Sequence, residues 1–174
     1  AYKASGLNIS AEAIEQFRLD NPQWPGQDEL RERAEAALLL DDAPADEVQG
    51  FFKDKEPTTG AGKAALGGAM LKDNEAQGRA LVVSAWRDYQ LNATVEKKIL
   101  ARFGDILTTD DYQAGVDRLL YPDNQSSAEA ALRVSKLLPA GEQKKVAARI
   151  AVLKRGANAG KLFDALPASA TQGD

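Results

Sequence analysis

The sequence predicts an all-α fold, an α-superhelix or solenoid of about ten short helices stacked as helix-turn-helix pairs. Three observations carry that expectation. An aliphatic position returns at one fixed interval, at Ile14, Val48, Val82, Val116 and Ile150, and a second track with the same interval runs Phe17, Phe51, Ala85, Leu119 and Leu153. An interval of about 34 residues is the length of one helix pair, which cannot bury its apolar stripe alone and does so by stacking on its neighbours. Helix caps and prolines punctuate the chain at short intervals. Nowhere do apolar and polar residues alternate for long enough to predict a strand.

The elements follow in order. Ser10 ahead of Ala11-Glu12-Ala13-Ile14 supplies an N-cap and an early carboxylate, so a first helix is predicted over 10–20. Asn21-Pro22 ends it, because proline restricts the residue before it and has no N–H to donate. Trp24-Pro25-Gly26 reads as a turn, and a second helix over 28–40 carries Leu30, Ala34, Ala37 and Leu38 on one stripe. Asp41-Asp42-Ala43-Pro44 breaks the chain before a third helix over 46–55, with Val48, Phe51 and Phe52 inward and Pro57 as its stop.

Residues 59–72 are rich in alanine and glycine, with Gly60, Gly62, Gly67 and Gly68 inside a helical stretch. Each interior glycine costs about 1 kcal/mol relative to alanine. Close packing of two helix backbones is the expected compensation. A helix over 75–89 follows, with Ala76, Ala80, Val83 and Arg87 on one side and Leu81, Val82, Ala85 and Trp86 in the apolar stripe. Helices over 94–103 and 109–120 are preceded by the caps Asn92 and Thr108. Tyr121-Pro122-Asp123-Asn124 reads as a turn, helices over 127–138, 141–154 and 158–166 complete the array, and Ala168 to Asp174 reads as a tail or linker. The expected organisation is one helical domain over 1–167 and a tail over 168–174. The start at Ala1 without methionine is expected of a processed product or a piece of a longer chain.

Composition excludes much chemistry. The 174 residues include no cysteine and no histidine, which removes thiolate catalysis, zinc sites built on those ligands and any imidazole base. No cofactor is expected. No stretch approaches the roughly 18 apolar residues of a membrane span, and no leader resembles a signal peptide. A net charge of −4 argues against non-specific nucleic-acid binding. The charge is also polarised: Glu12 to Glu56 holds 13 acidic and 5 basic residues, a balance of −8, whereas Arg133 to Lys161 holds 8 basic and 1 acidic, a balance of +7. The plain reading is solvated helix faces. The sharper one is a basic end that meets an acidic partner domain or an anionic polymer.

Two stretches carry a family resemblance. Phe17-Arg18-Leu19-Asp20-Asn21-Pro22-Gln23-Trp24-Pro25 with Leu30-Arg31-Glu32-Arg33-Ala34-Glu35 is the first. Ala85-Trp86-Arg87 through Glu96, Ile99-Leu100, Arg102-Phe103, Leu107-Thr108, Asp110-Asp111 and Asp117-Arg118-Leu119-Leu120 is the second. Across residues 10–155 the chain resembles the superhelical region of the soluble lytic murein transglycosylases. The resemblance implies a periplasmic location and a superhelix of helix pairs preceding a lysozyme-like catalytic domain, which cleaves peptidoglycan glycan strands and leaves a 1,6-anhydro end. The acid/base glutamate of that catalytic domain sits in a Glu-Ser pair. The sequence contains no Glu-Ser dipeptide, so no catalytic residue carries over.

The expectation is therefore a non-catalytic scaffold, whose partners would be the lysozyme-like catalytic domain of the same parent chain and peptidoglycan. The alternative is a free-standing helical-repeat adaptor that binds a protein or peptide. Arg87, Arg102 and Arg118 are the candidate contacts to an anionic glycan, weighed against ordinary solvated or capping arginines. Trp86 is expected in the core, and Trp24 as a plug of the turn between two helices. The glycines at 60, 62, 67 and 68 lack the Lys-Ser/Thr ending and preceding strand of a phosphate loop. The carboxylates between Glu12 and Asp54 read as solvated helix charges rather than a glycosidase pair, and Asp110-Asp111 as enrichment of a helix first turn.

Overall fold

A computed structural model describes residues 9–121 and 127–166. The turn expected at 121–124 and the tail at 168–174 fall wholly or partly outside the described residues. Among those described, the fold is all-helical with ten helices and no strand. They are α1 (Ala11–Asp20), α2 (Gln27–Leu40), α3 (Ala45–Phe51), α4 (Gly60–Met70), α5 (Glu75–Asp88), α6 (Ala93–Phe103), α7 (Thr109–Leu120), α8 (Ala128–Ser135), α9 (Ala140–Leu153) and α10 (Ala159–Asp164).

The repeat interval has a direct structural meaning. Its first track places Ile14, Val48, Val82, Val116 and Ile150 on α1, α3, α5, α7 and α9, the first helix of each successive pair. Val48, Val82, Val116 and Ile150 are buried and Ile14 is half-buried. Each of these helices packs against the one that follows it in the chain, α1 on α2 through α9 on α10. The second track lies one turn further along the same helices, with Ala85 and Leu119 buried and Phe17, Phe51 and Leu153 half-buried. The spacing of three between the tracks keeps both on one face of each helix.

The chain divides into two compact units, residues 1–106 and 107–174. The first unit holds α1 to α6 around a core of Leu38, Leu39, Val82, Ala85, Trp86 and Ile99. Here α4 is the central element, packed against α2, α3, α5 and α6. Its small residues permit this. A Cβ on Gly67 would lie 2.8 Å from the Gly78 carbonyl oxygen, and one on Gly78 would lie 2.8 Å from the Gly67 oxygen. The expected close approach of two backbones is therefore the α4–α5 contact. On α4, Gly68 makes room for the Phe103 ring of α6, whose Cζ would be 2.5 Å from an added Cβ. The second unit packs α7 on α8, α8 on α9 and α9 on α10, with Val116, Leu120, Ala131, Val134, Val146 and Ile150 buried.

The caps act as their sequences require. Ser10 accepts from the Ala13 amide, Thr59 from that of Gly62, and Asn92 from those of Thr94 and Val95. Thr108 and Asp111 close a reciprocal capping box on α7. Two details differ from expectation. The third helix ends at Phe51 rather than near residue 55, in turns that carry Lys55 to Glu15 and over the Phe51 ring. The α8 helix stops at Ser135, and turns continue to Leu138 ahead of Pro139. The α5 helix follows its expected stripe: Val82, Ala85 and Trp86 are buried together with Gly78, and Ala76, Ala80 and Arg87 are exposed.

Candidate functional site

The three candidate arginines occupy different settings. Arg87 is exposed near the end of α5, and Arg118 is half-buried on α7 in the other unit. Arg102, in the last turn of α6, lies 3.0 Å from the Asp42 carboxylate and 5.0 Å from the Phe103 ring centroid. Asp42 holds a left-handed backbone, with φ 55°. Aspartate tolerates that conformation better than most residues. The turn after α2 thereby presents its carboxylate to α6. The hydrogen bond from Lys98, with the charge of Arg102, draws the Asp42 carboxyl below the usual carboxylate range. Arg102 is thus engaged in tying the 41–44 turn to α6.

The two tryptophans separate. Trp86 is 2% exposed, as expected for a core residue. Trp24 is 53% exposed and meets Phe17 edge-on at 5.5 Å between centroids. It leans on α1 through Phe17 and leaves half its surface to solvent, while Gly26, at φ 82°, turns the chain into α2.

Glu35 escapes the sequence reading, which places it among solvated helix carboxylates. It is fully buried on α2 beside Ala34, Leu38 and Leu39. Its two oxygens accept from five donor groups: Thr58 N and Oγ1, Thr59 N and Oγ1, and Arg31 Nε, at 2.6–3.3 Å. Thr59 is also the N-cap of α4, so the carboxylate sits at the positive end of that helix. Gly62 is small for the same reason: a Cβ there would lie 2.3 Å from Glu35 Oε2. A carboxylate so fully supplied with donors is a structural keystone, not a general acid waiting for substrate.

A different kind of feature lies between α1, α2 and α3. A groove of about 330 Å³ is lined by Glu12, Glu15 and Leu19 of α1, Leu38 of α2, and Glu47 and Phe51 of α3. Glu15 is already neutralised, since Arg18 donates twice to it at 2.9 Å and Lys55 once at 2.5 Å. Arg18 first and Lys55 second, against the opposing effect of burial, hold its carboxyl at about 2. Glu12 and Glu47 are exposed and have no ion pair among the described residues. The groove therefore combines an apolar floor with uncompensated negative charge. A smaller recess of about 70 Å³ is lined by Ala43, Val48, Ala65, Gly68 and Arg102. It has room for no more than a few waters.

Among the described residues no group of acidic side chains is arranged to hold a metal ion, and no helix is long and apolar enough to cross a membrane. Comparison of the chain with protein-family models, with curated proteins and with solved structures finds no match.

Proposed function

We propose that this chain is a non-catalytic helical scaffold domain of a periplasmic peptidoglycan lytic transglycosylase, which shapes the space around a separate lysozyme-like catalytic domain. The observation that carries the reading is the work done by the residues in which the resemblance lies. Trp86, Ile99, Phe103, Leu107, Leu119 and Leu120 are core residues, and Thr108 and Asp111 form a helix cap. The motifs that carry the resemblance are thus ones that build packed helices, as a scaffold reading requires. Glu35 supports the non-catalytic half of the reading, because this fully buried carboxylate is consumed by the start of α4. Contact with anionic glycan would fall to the basic side chains singled out by the sequence, of which Arg87 and Arg102 are exposed.

The groove between α1 and α3 favours a second reading, a helical-repeat adaptor whose ligand is a protein segment. The parent coding region separates the two. A Glu-Ser-bearing lysozyme-like segment downstream supports the scaffold, and its activity on murein should fall when residues 9–166 are removed. A stop codon near residue 174 favours the adaptor.

A further inference from the structure

The acidic groove on α1–α3 has a chemical complement in the same chain. The α9–α10 hairpin exposes Val152 and Phe163, 54% and 50% accessible, and carries Lys154, Arg155 and Lys161, none of which has an ion pair among the described residues. The groove offers the matching set: Leu19, 59% exposed, with Leu38 and Phe51 on the apolar side and Glu12 and Glu47 on the charged side. We propose that this groove takes the α9–α10 hairpin of a second copy, so that copies associate head to tail.

The complementarity extends beyond those residues. The segment that forms the groove has a charge balance of −8 and the segment that contains the hairpin one of +7. The opposite sign of the two segments, reduced where Asp42 pairs with Lys98 and Arg102 and where Arg149 pairs with Asp117, steers two copies into this orientation and opposes groove-to-groove or hairpin-to-hairpin pairing. Phe163 and Val152 fill the space between Leu19 and Phe51, and the three cations meet Glu12 and Glu47. Glu15 contributes shape rather than charge, being already held by Arg18 and Lys55. Because the two surfaces differ, the interface is heterologous, and it yields a ring if the rotation closes and an open chain if it does not. The inference does not rest on the cell-wall reading and stands or falls separately from it.

Sedimentation of the full chain tests it at ionic strengths of about 0.01 M and about 1 M, where the screening length is about 30 Å and about 3 Å. The expected result is a concentration-dependent rise to at least twice the monomer mass at low salt, lost at high salt. The double variant Glu12→Lys/Glu47→Lys is expected to weaken association at least about tenfold, and so is Lys154→Glu/Lys161→Glu. Mixing these two reversed variants restores association at low salt. Circular dichroism of each variant checks that the helices, on which all four changes are exposed or terminal, are retained. A wild-type chain that stays monomeric at low salt up to millimolar concentration overturns the proposal. So does association that is indifferent to both reversals, or reversed variants that fail to pair with each other.

Discussion

Replacing Glu35 by glutamine keeps the volume and removes one acceptor oxygen from a closed site. The amide carbonyl can serve about two of the five donor groups, and the new NH2 faces N–H and O–H groups that also donate. Thr58 Oγ1 can turn away, and Arg31 reaches the Glu56 carbonyl, so those two adapt at little cost. The Thr59 amide cannot turn, because the α4 backbone fixes it. A buried donor left without a partner costs about 1–3 kcal/mol, and loss of negative charge at the start of α4 adds about 0.3–1 kcal/mol. The expected destabilisation is about 1.3–4 kcal/mol, or a fall of about 5–30 °C in the Tm of a unit of this size. Urea and thermal denaturation monitored by helical circular dichroism measure it. Gly62→Ala should destabilise on its own, and Glu35→Ala/Gly62→Ala should cost less than the sum of its parts, since each change relieves the other. A Glu35→Gln loss below about 0.5 kcal/mol, within the range of ordinary surface changes, or strict additivity of the pair, would refute the assignment of Glu35 as the keystone of α4.

Other consequences are equally direct. Trp86→Ala should cost about 3–5 kcal/mol through a core cavity, and an unchanged Tm would place that ring outside the core. Gly67→Ala should destabilise despite alanine's better helix propensity, because its Cβ meets the Gly78 backbone. Gly50 has nothing within 4 Å of an added Cβ. Gly50→Ala should therefore stabilise by up to about 1 kcal/mol, and equal signs for the two changes would contradict the close α4–α5 packing. The Glu15 carboxyl is lowered from 4.5 to about 2 in the folded chain, so its contribution is present above pH 4.5 and is lost as pH falls towards 2. Urea midpoints measured across that window should therefore fall with acid, and Arg18→Gln should flatten the dependence; an unaltered profile would remove Arg18 as the principal cause.

The architecture is legible because helix stacking repeats a physical demand. Each odd-numbered helix needs an inward aliphatic at the same point, so the interval between them reappears as Val48, Val82, Val116 and Ile150 in successive cores. Caps are legible for a local reason: Asn92, Thr108 and Ser10 act within three residues of themselves. The glycines of α4 announce close packing through their cost, although their partners Gly78 and Phe103 require the fold. Glu35 is not legible, because four of its five donor groups, those of Thr58 and Thr59, stand 23 and 24 residues away and only tertiary packing brings them to α2. One signal is available: Glu35 precedes Leu38 and Leu39 by three and four positions, which puts a carboxylate on an apolar stripe. The contact of Lys55 with Glu15, 40 residues apart, likewise belongs to the folded path. The groove has no linear motif at all, since its residues come from three helices.

The central claim, that this is a scaffold of cell-wall processing without catalysis of its own, is tested most directly by incubating the purified chain with intact murein sacculi. Pelleted protein and soluble muropeptides are then measured in the same sample. The account predicts retention of the chain on the pellet, weakened by salt and by Arg87→Glu, with no muropeptide released. Release of 1,6-anhydro muropeptides by this chain alone would contradict it, and no retention at either low or high salt would remove direct glycan contact from it.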